Sequence, residues 1–265
     1  MIALVSKKKA AKKALKLFSM PVLRAKTKTP PVFGNGEKLS FKLEGHTIRG
    51  HRWLPGAAAQ KKILILHGFE SSSKKFSSYV SFFIKKGYEV LAFDAPAHGE
   101  SGGKEINLPL YAKMIDEVYK RFGPVDSFMG HSFGGLAIAH VLETIPHDEG
   151  TKIALIAPAT ETKTAIDMFF EYLGLDEDVR KEFDEMILER TGHPSDHFSI
   201  RRAMKQINAS VLWVHDEEDE ITPVKDVLKV QEDHYQNIKF IFTKGLGHRK
   251  IYRDEEVMKS VVDFL

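Results

Sequence analysis

The sequence predicts an α/β protein whose core is a doubly wound, mostly parallel sheet of about eight strands. From Ile63 onward, apolar runs bounded by Gly or Pro alternate with stretches of helical periodicity, which is typical of parallel strands covered on both faces. The chain has 265 residues, 43% of them hydrophobic. That length fits one domain with an insertion as well as two small domains, and we expect one.

Residues 1–36 are predicted to form a basic N-terminal arm and linker. Apolar residues recur at roughly helical spacing over Ala3–Met20, which predicts an amphipathic helix that ends before Pro21. Pro30-Pro31 and Gly34-Asn35-Gly36 are typical of a linker. We therefore expect the arm to lie apart from the folded body and to be dispensable for catalysis. The alternative is that Leu15, Leu17 and Phe18 pack onto the edge of the sheet or onto a helical lid.

Charge is unevenly distributed along the chain. The net charge is +3, but residues 1–36 carry nine basic residues and no acid, so the rest of the chain carries +3 less nine, or −6. The basic residues are Lys7, Lys8, Lys9, Lys12, Lys13, Lys16, Arg24, Lys26 and Lys28. Such an arm can contact anionic lipid or nucleic acid, or it can be a solvated helix or a frayed leader. We expect no nucleic-acid partner and only weak contact with an anionic membrane.

Two alternating runs precede the parallel strands and predict an antiparallel hairpin at one edge of the sheet, Leu39–Leu43 with Thr47–Leu54. Six buried strands are predicted after it, at Ile63–Leu66, Tyr88–Phe93, Ser127–Met129, Ile153–Ala157, Val211–His215 and Ile238–Phe242. Helical patterns lie at Phe76–Lys86, Leu110–Arg121, Phe133–Thr144, Val224–His234 and Asp254–Leu265.

The alternation of strands and helices lapses over residues 159–207, which carry helical apolar patterns and no clear strand. We interpret this segment as a helical lid inserted after the sixth strand, between two parts of one core, residues 37–158 and 208–265. Its aromatic side chains either form the core of the lid or line a pocket for an acyl group. They are Phe169, Phe170, Tyr172 and Phe183.

Composition excludes several kinds of site and location. The chain has no cysteine, so it cannot use a thiol nucleophile, a disulfide framework or a thiolate metal site. No apolar run approaches the ~20 residues of a membrane span, and the N-terminus lacks the pattern of a secretory signal, so we expect a cytoplasmic protein. His193 and His197 lie on a segment that contains proline, which is too weak a pattern to predict a metal site.

The stretch Gly130-His131-Ser132-Phe133-Gly134 follows a predicted strand and opens a predicted helix. In a strand–turn–helix motif of this kind, the side chain at the sharp turn projects beyond the edge of the sheet. Here that side chain is the hydroxyl of Ser132. Gly130 and Gly134 are expected to let the strand and the helix approach each other closely. This context predicts Ser132 as a nucleophile.

Polar residues follow several other strands of the predicted sheet, where reactive groups of open α/β sheets collect. A serine hydroxyl needs a base, usually histidine, and a carboxylate that fixes the imidazole tautomer. The segment from Asp216 to Glu220 supplies five consecutive acidic candidates after one late strand, and His248 follows the last strand. The order of serine, acid and histidine is that of α/β-hydrolases.

At these residues the chain resembles the α/β-hydrolase fold superfamily, in particular its serine esterases and lipases, from about Leu39 to Leu265. The resemblance favours Asp219 as the acid, because His215 to Pro223 matches the family pattern H-G-x-x-D-x-x-x-P except that Asp216 replaces its glycine. It also implies structural roles for a few residues and an oxyanion hole formed by two backbone N–H groups. The structural residues are His67 and Gly68, and the donors are Phe69 and Phe133.

The loop Asp94 to Ser101 matches the family segment D-x-P-x-H-G-x-S, which lies near the site and is expected to have no catalytic part. The resemblance implies a serine hydrolase that acts on a small-molecule carboxylic ester or thioester through an acyl-enzyme on Ser132, with no cofactor and no metal. An acyltransferase, a C–C hydrolase on the same triad and a non-catalytic ligand-binding member of the fold remain open. The acyl chain length and the oligomeric state do not follow from the sequence.

Overall fold

The computed structural model describes residues 2–22, 28–56, 58–59 and 61–265, without the side chains of residues 2–6; Arg24 and Lys26 of the predicted arm lie outside this description. One sheet holds eight strands in the order β1-β2-β4-β3-β5-β6-β7-β8. They are β1 Glu37–Leu43, β2 His46–Trp53, β3 Lys61–Leu66, β4 Tyr88–Phe93, β5 Ser127–His131, β6 Lys152–Ile156, β7 Ser210–Asp216 and β8 Ile238–Thr243. The pairs β1/β2 and β2/β4 are antiparallel and the other pairs are parallel. The predicted fold class is confirmed, with the hairpin at one edge.

Helices cover both faces of this sheet. Alternate residues of β3 belong to two separate apolar clusters, with Leu64 and Leu66 in one and Ile63 and Ile65 in the other. This alternation places one core on each face of the sheet. The helices are α1 Ile2–Ser19, α2 Pro31–Gly34, α3 Ser77–Lys85, α4 Leu108–Phe122, α5 Phe133–Val141, α6 Thr162–Leu173, α7 Glu177–Thr191, α8 Ile200–Ala203, α9 Val224–Glu232, α10 Gly247–Lys250 and α11 Glu255–Phe264.

The helix predicted near the N-terminus is present, but it does not lie apart from the body. One face of α1 is buried in the larger apolar cluster, where Ala11 is 0% and Leu15 is 5% exposed. Phe18 packs edge-to-face against Phe169 and Phe183, with ring centroids 5.3 and 5.9 Å apart. The apolar residues of the arm are few, yet α6 and α7 offer them a matching apolar surface, and burial of that surface favours packing.

The predicted linker is also packed against the sheet. Residues Pro31–Gly34 form the short helix α2, and Phe33 is 1% exposed. Its ring lies 4.9 Å from that of Trp53, and the indole Nε1 of Trp53 donates to the carbonyl of Val32 at 2.8 Å. A buried aromatic pair therefore attaches this segment to β2.

The chain between β6 and β7 forms helices α6, α7 and α8. Gly174 ends α6 with φ of +60° and Gly192 ends α7 with φ of +75°, backbone conformations that glycine adopts at little cost. Phe170 and Phe183 are buried, as expected for side chains that form the core of this segment, whereas Tyr172 is 86% exposed. The role of these helices as a lid, and the division of the chain into arm, core and lid, stay predictions.

No helix within the described part of the chain is both long enough and apolar enough to span a bilayer. The cytoplasmic location stays a prediction.

Candidate active site

Ser132 lies on the sharp turn between β5 and α5. Its φ of +54° and ψ of −121° are strained for a residue with a side chain, and the hydrogen bond from its N–H to the carbonyl of Ile156 at 3.1 Å helps to hold that conformation. A Cβ at Gly130 would lie 2.7 Å from the nitrogen of Gly135, and a Cβ at Gly134 would lie 2.7 Å from the carbonyl oxygen of His67. At Gly130, β5 and α5 approach each other closely, and at Gly134, α5 approaches the end of β3 closely, so these two positions leave no room for a side chain.

Asp219 forms a buried pair with His248. Its Oδ2 lies 2.8 Å from Nδ1 of His248 and accepts from the hydroxyl of Thr222 at 2.8 Å. Its Oδ1 accepts from the N–H groups of Ile221 at 2.9 Å and Thr222 at 2.8 Å. Burial raises the pKa of Asp219, but the hydrogen bond and charge of His248 and the donors of Thr222 outweigh it, so the pKa lies below its usual value.

An ionised Asp219 accepts a hydrogen bond from the protonated Nδ1 of His248, which leaves Nε2 as the atom able to take a proton. Of the five consecutive acidic candidates, three are exposed, namely Glu217, Glu218 and Glu220. Asp216 and Asp219 are buried, and Asp219 is the one that contacts His248.

Asp216 links the end of β7 to the loop that carries His248. Its Oδ2 accepts from the Thr243 hydroxyl at 2.7 Å and from the N–H of Leu246 at 3.0 Å, and its Oδ1 accepts from the N–H of Glu218 at 3.0 Å. Burial raises the pKa of Asp216, but these donors outweigh it and hold the pKa below its usual value. The residue that departs from the family pattern thus stabilises the loop just before His248.

His131 connects the loop of His248 to the nucleophile turn. Its Nε2 lies 3.0 Å from the carbonyl oxygen of His248, and the two rings lie 4.7 Å apart. Burial, with a smaller contribution from His248, lowers the pKa of His131 to about 3. The ring is therefore neutral and donates from Nε2, since a carbonyl oxygen can only accept. No pattern in the sequence predicted this role, because His131 occupies the variable position directly before Ser132.

The loop after β3 is packed against Ser132. A Cβ at Gly68 would lie 2.8 Å from the Cβ of Ser132. Nδ1 of His67 donates to the carbonyl of Gly68 at 2.7 Å while its Nε2 accepts from the N–H of Ala95 at 2.9 Å, which fixes the tautomer. Burial lowers the pKa of His67, so the ring stays neutral. These contacts hold the loop beside Ser132, and the structural role of His67 and Gly68 stays a prediction.

Phe69 and Phe133 carry the two N–H groups predicted to form the oxyanion hole. Within the described residues, neither N–H donates to another group of the protein. Phe133 is the first residue of α5, where backbone N–H groups have no partner inside the helix. Both N–H groups thus remain able to donate to a ligand.

The loop from Asp94 to Ser101 supports the same region. The carboxylate of Asp94 accepts from the N–H and hydroxyl of Ser73, both at 2.8 Å, and from the N–H of Glu100 at 2.8 Å. Nε2 of His98 accepts from the N–H of Glu70 at 3.0 Å. This loop therefore positions the residue that follows Phe69, a role for which the sequence carried only the family pattern.

Among the residues that the structure describes, no three His, Asp or Glu side chains are grouped so that they could hold a metal ion. His193 and His197 stack with ring centroids 3.8 Å apart. The absence of a metal and of a cofactor stays a prediction.

Comparison with known proteins gives several partial matches. The family model described as serine aminopeptidase, S33, matches residues 57–177. A serine hydrolase-like protein of Dictyostelium discoideum is 30% identical over 121 residues, 43% of this chain and 33% of that protein. A bifunctional esterase/perhydrolase of Acinetobacter calcoaceticus is 24% identical over 234 residues, 70% of this chain and 84% of that protein. The chain spans 40% and 33% of the lengths of the first two curated relatives it matches.

A likeness to a solved structure extends over most of the chain. The esterase Pf2001 of Pyrococcus furiosus superposes with a TM-score of 0.69 at 21% identity, covering 93% of this chain and 98% of that one. At this identity the likeness is one of fold. The chain therefore has the α/β-hydrolase fold, with the mostly parallel eight-stranded sheet described above.

Proposed function

We propose that the protein is a serine hydrolase that cleaves a carboxylic ester or thioester through an acyl-enzyme on Ser132. The observation that carries this proposal is the buried hydrogen bond of 2.8 Å between Asp219 and His248. His131, which lies next to Ser132, hydrogen-bonds the backbone carbonyl of His248 and so connects the loop of His248 to the nucleophile turn. A serine in strained backbone, a histidine and an ionised carboxylate are the groups that acyl transfer requires. The named esterases among the relatives support the same class of reaction.

In the first half-reaction, Nε2 of His248 takes the proton of the Ser132 hydroxyl as Oγ bonds to the acyl carbon. The N–H groups of Phe69 and Phe133 donate to the oxyanion, and each is worth about 3–4 kcal/mol of transition-state stabilisation in a site that excludes water. The bond to the leaving oxygen or sulfur then breaks, and that atom takes the proton from His248. The acyl group remains on Ser132.

In the second half-reaction, His248 takes a proton from water while the water oxygen attacks the acyl carbon. The ester bond to Oγ breaks, Ser132 regains its proton from His248, and the carboxylic acid is released. Asp219 stays ionised throughout and stabilises the imidazolium formed in each half.

Labelling with a fluorophosphonate probe, followed by turnover of a chain-length series of p-nitrophenyl esters, tests this proposal. We expect Ser132→Ala to lose both labelling and turnover, whereas Ser78→Ala, at an exposed serine, should retain both. Labelling that persists in Ser132→Ala would refute the assignment. Wild-type protein that neither labels nor turns over any ester would favour the non-catalytic alternative.

Two further substrates separate the remaining alternatives. Because the matching family model is described as a serine aminopeptidase, an aminoacyl p-nitroanilide is assayed beside the esters. Faster turnover of the anilide would move the substrate class to peptides. Transfer of the acyl group to an added alcohol in preference to water would indicate an acyltransferase, since the two reactions share the acyl-enzyme.

A further inference from the structure

The N-terminal helix α1 presents two chemically distinct faces. Ala11, Ala14 and Leu15 are buried against the body. The exposed face carries five lysines, which at 3.6 residues per turn occupy an arc of about 140°. They are Lys8, Lys9, Lys12, Lys13 and Lys16. No acidic residue occurs in residues 1–36, so this face is a concentrated positive patch on a chain whose remainder is acidic overall.

The carboxylates that the structure describes do not pair with these five charges. Lys7, beside the packed face, pairs with Asp176 and lies 3.7 Å from Asp178. None of the five exposed lysines has a carboxylate within 4.0 Å in the part of the chain that the structure describes. The patch is therefore available to an external anionic partner.

The helix is held firmly, so the patch is preformed. Phe18 lies edge-to-face with Phe169 of α6 and Phe183 of α7. Beyond the helix, the N–H of Val22 donates to Oε1 of Glu70 at 2.9 Å. A rigid, preformed face loses less conformational entropy on binding than a disordered tail does.

We propose that α1 docks the protein on an anionic phospholipid surface through this lysine face. Lysines near such a surface are attracted to its negative potential, and exposed apolar side chains beside them can enter the headgroup region. Leu17, in the last turn of α1, is 46% exposed, and Val22, shortly after the helix ends, is 70% exposed. This combination of lysines and exposed apolar residues is that of an interfacial helix.

The same face is poorly suited to single-stranded nucleic acid. Single-stranded nucleic acid is bound through aromatic platforms and arginine as well as charge. Every basic residue on this face is lysine, and the aromatic ring of α1, Phe18, is engaged with α6 and α7. Docking through α1 would place these two helices beside the lipid.

Flotation with lipid vesicles tests the proposal on the full-length protein. Vesicles of phosphatidylcholine alone are compared with vesicles that also contain about 30 mol% phosphatidylglycerol, with salt raised from about 0.05 M to 0.5 M. We expect binding to the anionic vesicles only, lost at high salt. Replacing the five lysines of the face by glutamine should weaken binding about tenfold or more.

The matched control changes five exposed lysines elsewhere to glutamine, so that the net charge changes equally. They are Lys61, Lys85, Lys205, Lys239 and Lys259. This variant should bind within about twofold of wild type, because charges distant from the surface are screened. Circular dichroism confirms that both variants are folded. Ser132→Ala should bind like wild type, so the result does not depend on the proposed hydrolase activity.

Several results would overturn the proposal. The first is that the protein does not bind anionic vesicles, and the second is that it binds neutral vesicles equally well. The third is that the two five-lysine variants lose the same amount of binding to anionic vesicles. Tighter binding of a single-stranded oligonucleotide than of anionic vesicles would also overturn it, and would identify the face as a nucleic-acid surface.

Discussion

Oδ2 of Asp219 lies 2.8 Å from Nδ1 of His248 in a buried position, and the hydroxyl of Thr222 donates to the same oxygen. Both oxygens of the carboxylate are held in place, because Oδ1 accepts hydrogen bonds from two backbone N–H groups of the following turn. A carboxylate with four donors stays ionised and presents a fixed acceptor to the imidazole. The tautomer of His248 therefore depends on Asp219.

Asp219→Asn should lower kcat by about 10³–10⁴ while the fold is kept. The amide of asparagine can donate to Nδ1, which favours the tautomer with the proton on Nε2 and leaves no base for Ser132. Steady-state turnover of a p-nitrophenyl ester measures the effect, with Glu220→Gln at an exposed neighbour as the control. A loss of less than tenfold in Asp219→Asn would mean that another group orients His248.

Asp216→Asn should lower both stability and kcat. The N–H of Leu246 donates to Oδ2 of Asp216 at 3.0 Å. If the NH2 group of asparagine takes the place of Oδ2, it cannot accept that hydrogen bond. A buried donor left without an acceptor costs about 1–3 kcal/mol. Urea unfolding measures the free energy, and kcat is measured at 25 °C on protein that circular dichroism shows to be folded.

Glu217→Gln, at an exposed acidic neighbour, is the control for Asp216→Asn. If Asp216→Asn matches wild type in both stability and kcat, the hydrogen bonds of Asp216 do not position the loop of His248.

The strands of the sheet could be predicted almost completely, because each one corresponds to a short apolar run in the sequence. Strands buried on both faces need continuous apolar runs, and each predicted run falls on an observed strand with ends shifted by a few residues. The turn at Ser132 is equally local, since strand, glycines and helix are adjacent in sequence. For the same reason, the ends of the strands were visible as the places where polar residues gather.

Contacts between distant segments could not be predicted in this way. Whether the thin apolar face of α1 packs depends on the surface that α6 and α7 offer, about 150 residues away. The separation of Asp216 from Asp219 also depends on the fold, because five consecutive acidic residues look alike until burial distinguishes them. The link between His131 and His248 requires two loops to meet, which no single pattern encodes.

Gly68→Ala should lower kcat/KM about 100-fold or more. The added Cβ would lie 2.8 Å from the Cβ of Ser132, so either the loop that carries Phe69 or the nucleophile turn must move. A displacement of about 1 Å at a reacting group costs about 100-fold in rate. Gly34→Ala is the control, because a Cβ there meets no atom within 4 Å. Full activity in Gly68→Ala would show that the loop tolerates the shift.

Acid should destabilise the protein partly through His131. Burial lowers the pKa of His131 to about 3, whereas an unfolded histidine has a pKa of about 6.5. Between these values the unfolded chain binds a proton that the folded protein does not, so stability present above about pH 6.5 is lost as the pH falls. The loss amounts to about 1.4 kcal/mol per pH unit for this one group.

Urea unfolding at about pH 7.5 and about pH 5.5 measures this dependence. His131→Gln keeps a donor for the carbonyl of His248 but cannot titrate, so its stability should fall less steeply than that of wild type. His46→Gln, at an exposed histidine, is the matched control and should follow wild type. Identical slopes in wild type and His131→Gln would mean that His131 is not the group that titrates.

Leu15→Ala should destabilise the protein, because α1 belongs to the folded body. Leu15 is 5% exposed and lies in the larger apolar cluster, whereas Leu17, two residues along the same helix, is 46% exposed. Truncation of a buried leucine to alanine costs about 2–5 kcal/mol through lost burial and the cavity left behind. The same truncation at Leu17 should change the free energy of unfolding by about 0.5 kcal/mol or less, as is usual at exposed positions.

Both Leu15→Ala and Leu17→Ala replace leucine by alanine in the same helix, so they change the helix propensity equally. A difference between their free energies of unfolding therefore measures the packing of Leu15. Urea unfolding of both variants gives the two free energies directly. Equal values would mean that α1 is only loosely attached, as the composition of the arm first suggests. A large loss in Leu15→Ala alone would mean that deleting the arm removes part of the core, so that a truncated protein would lose stability before any question of activity arises.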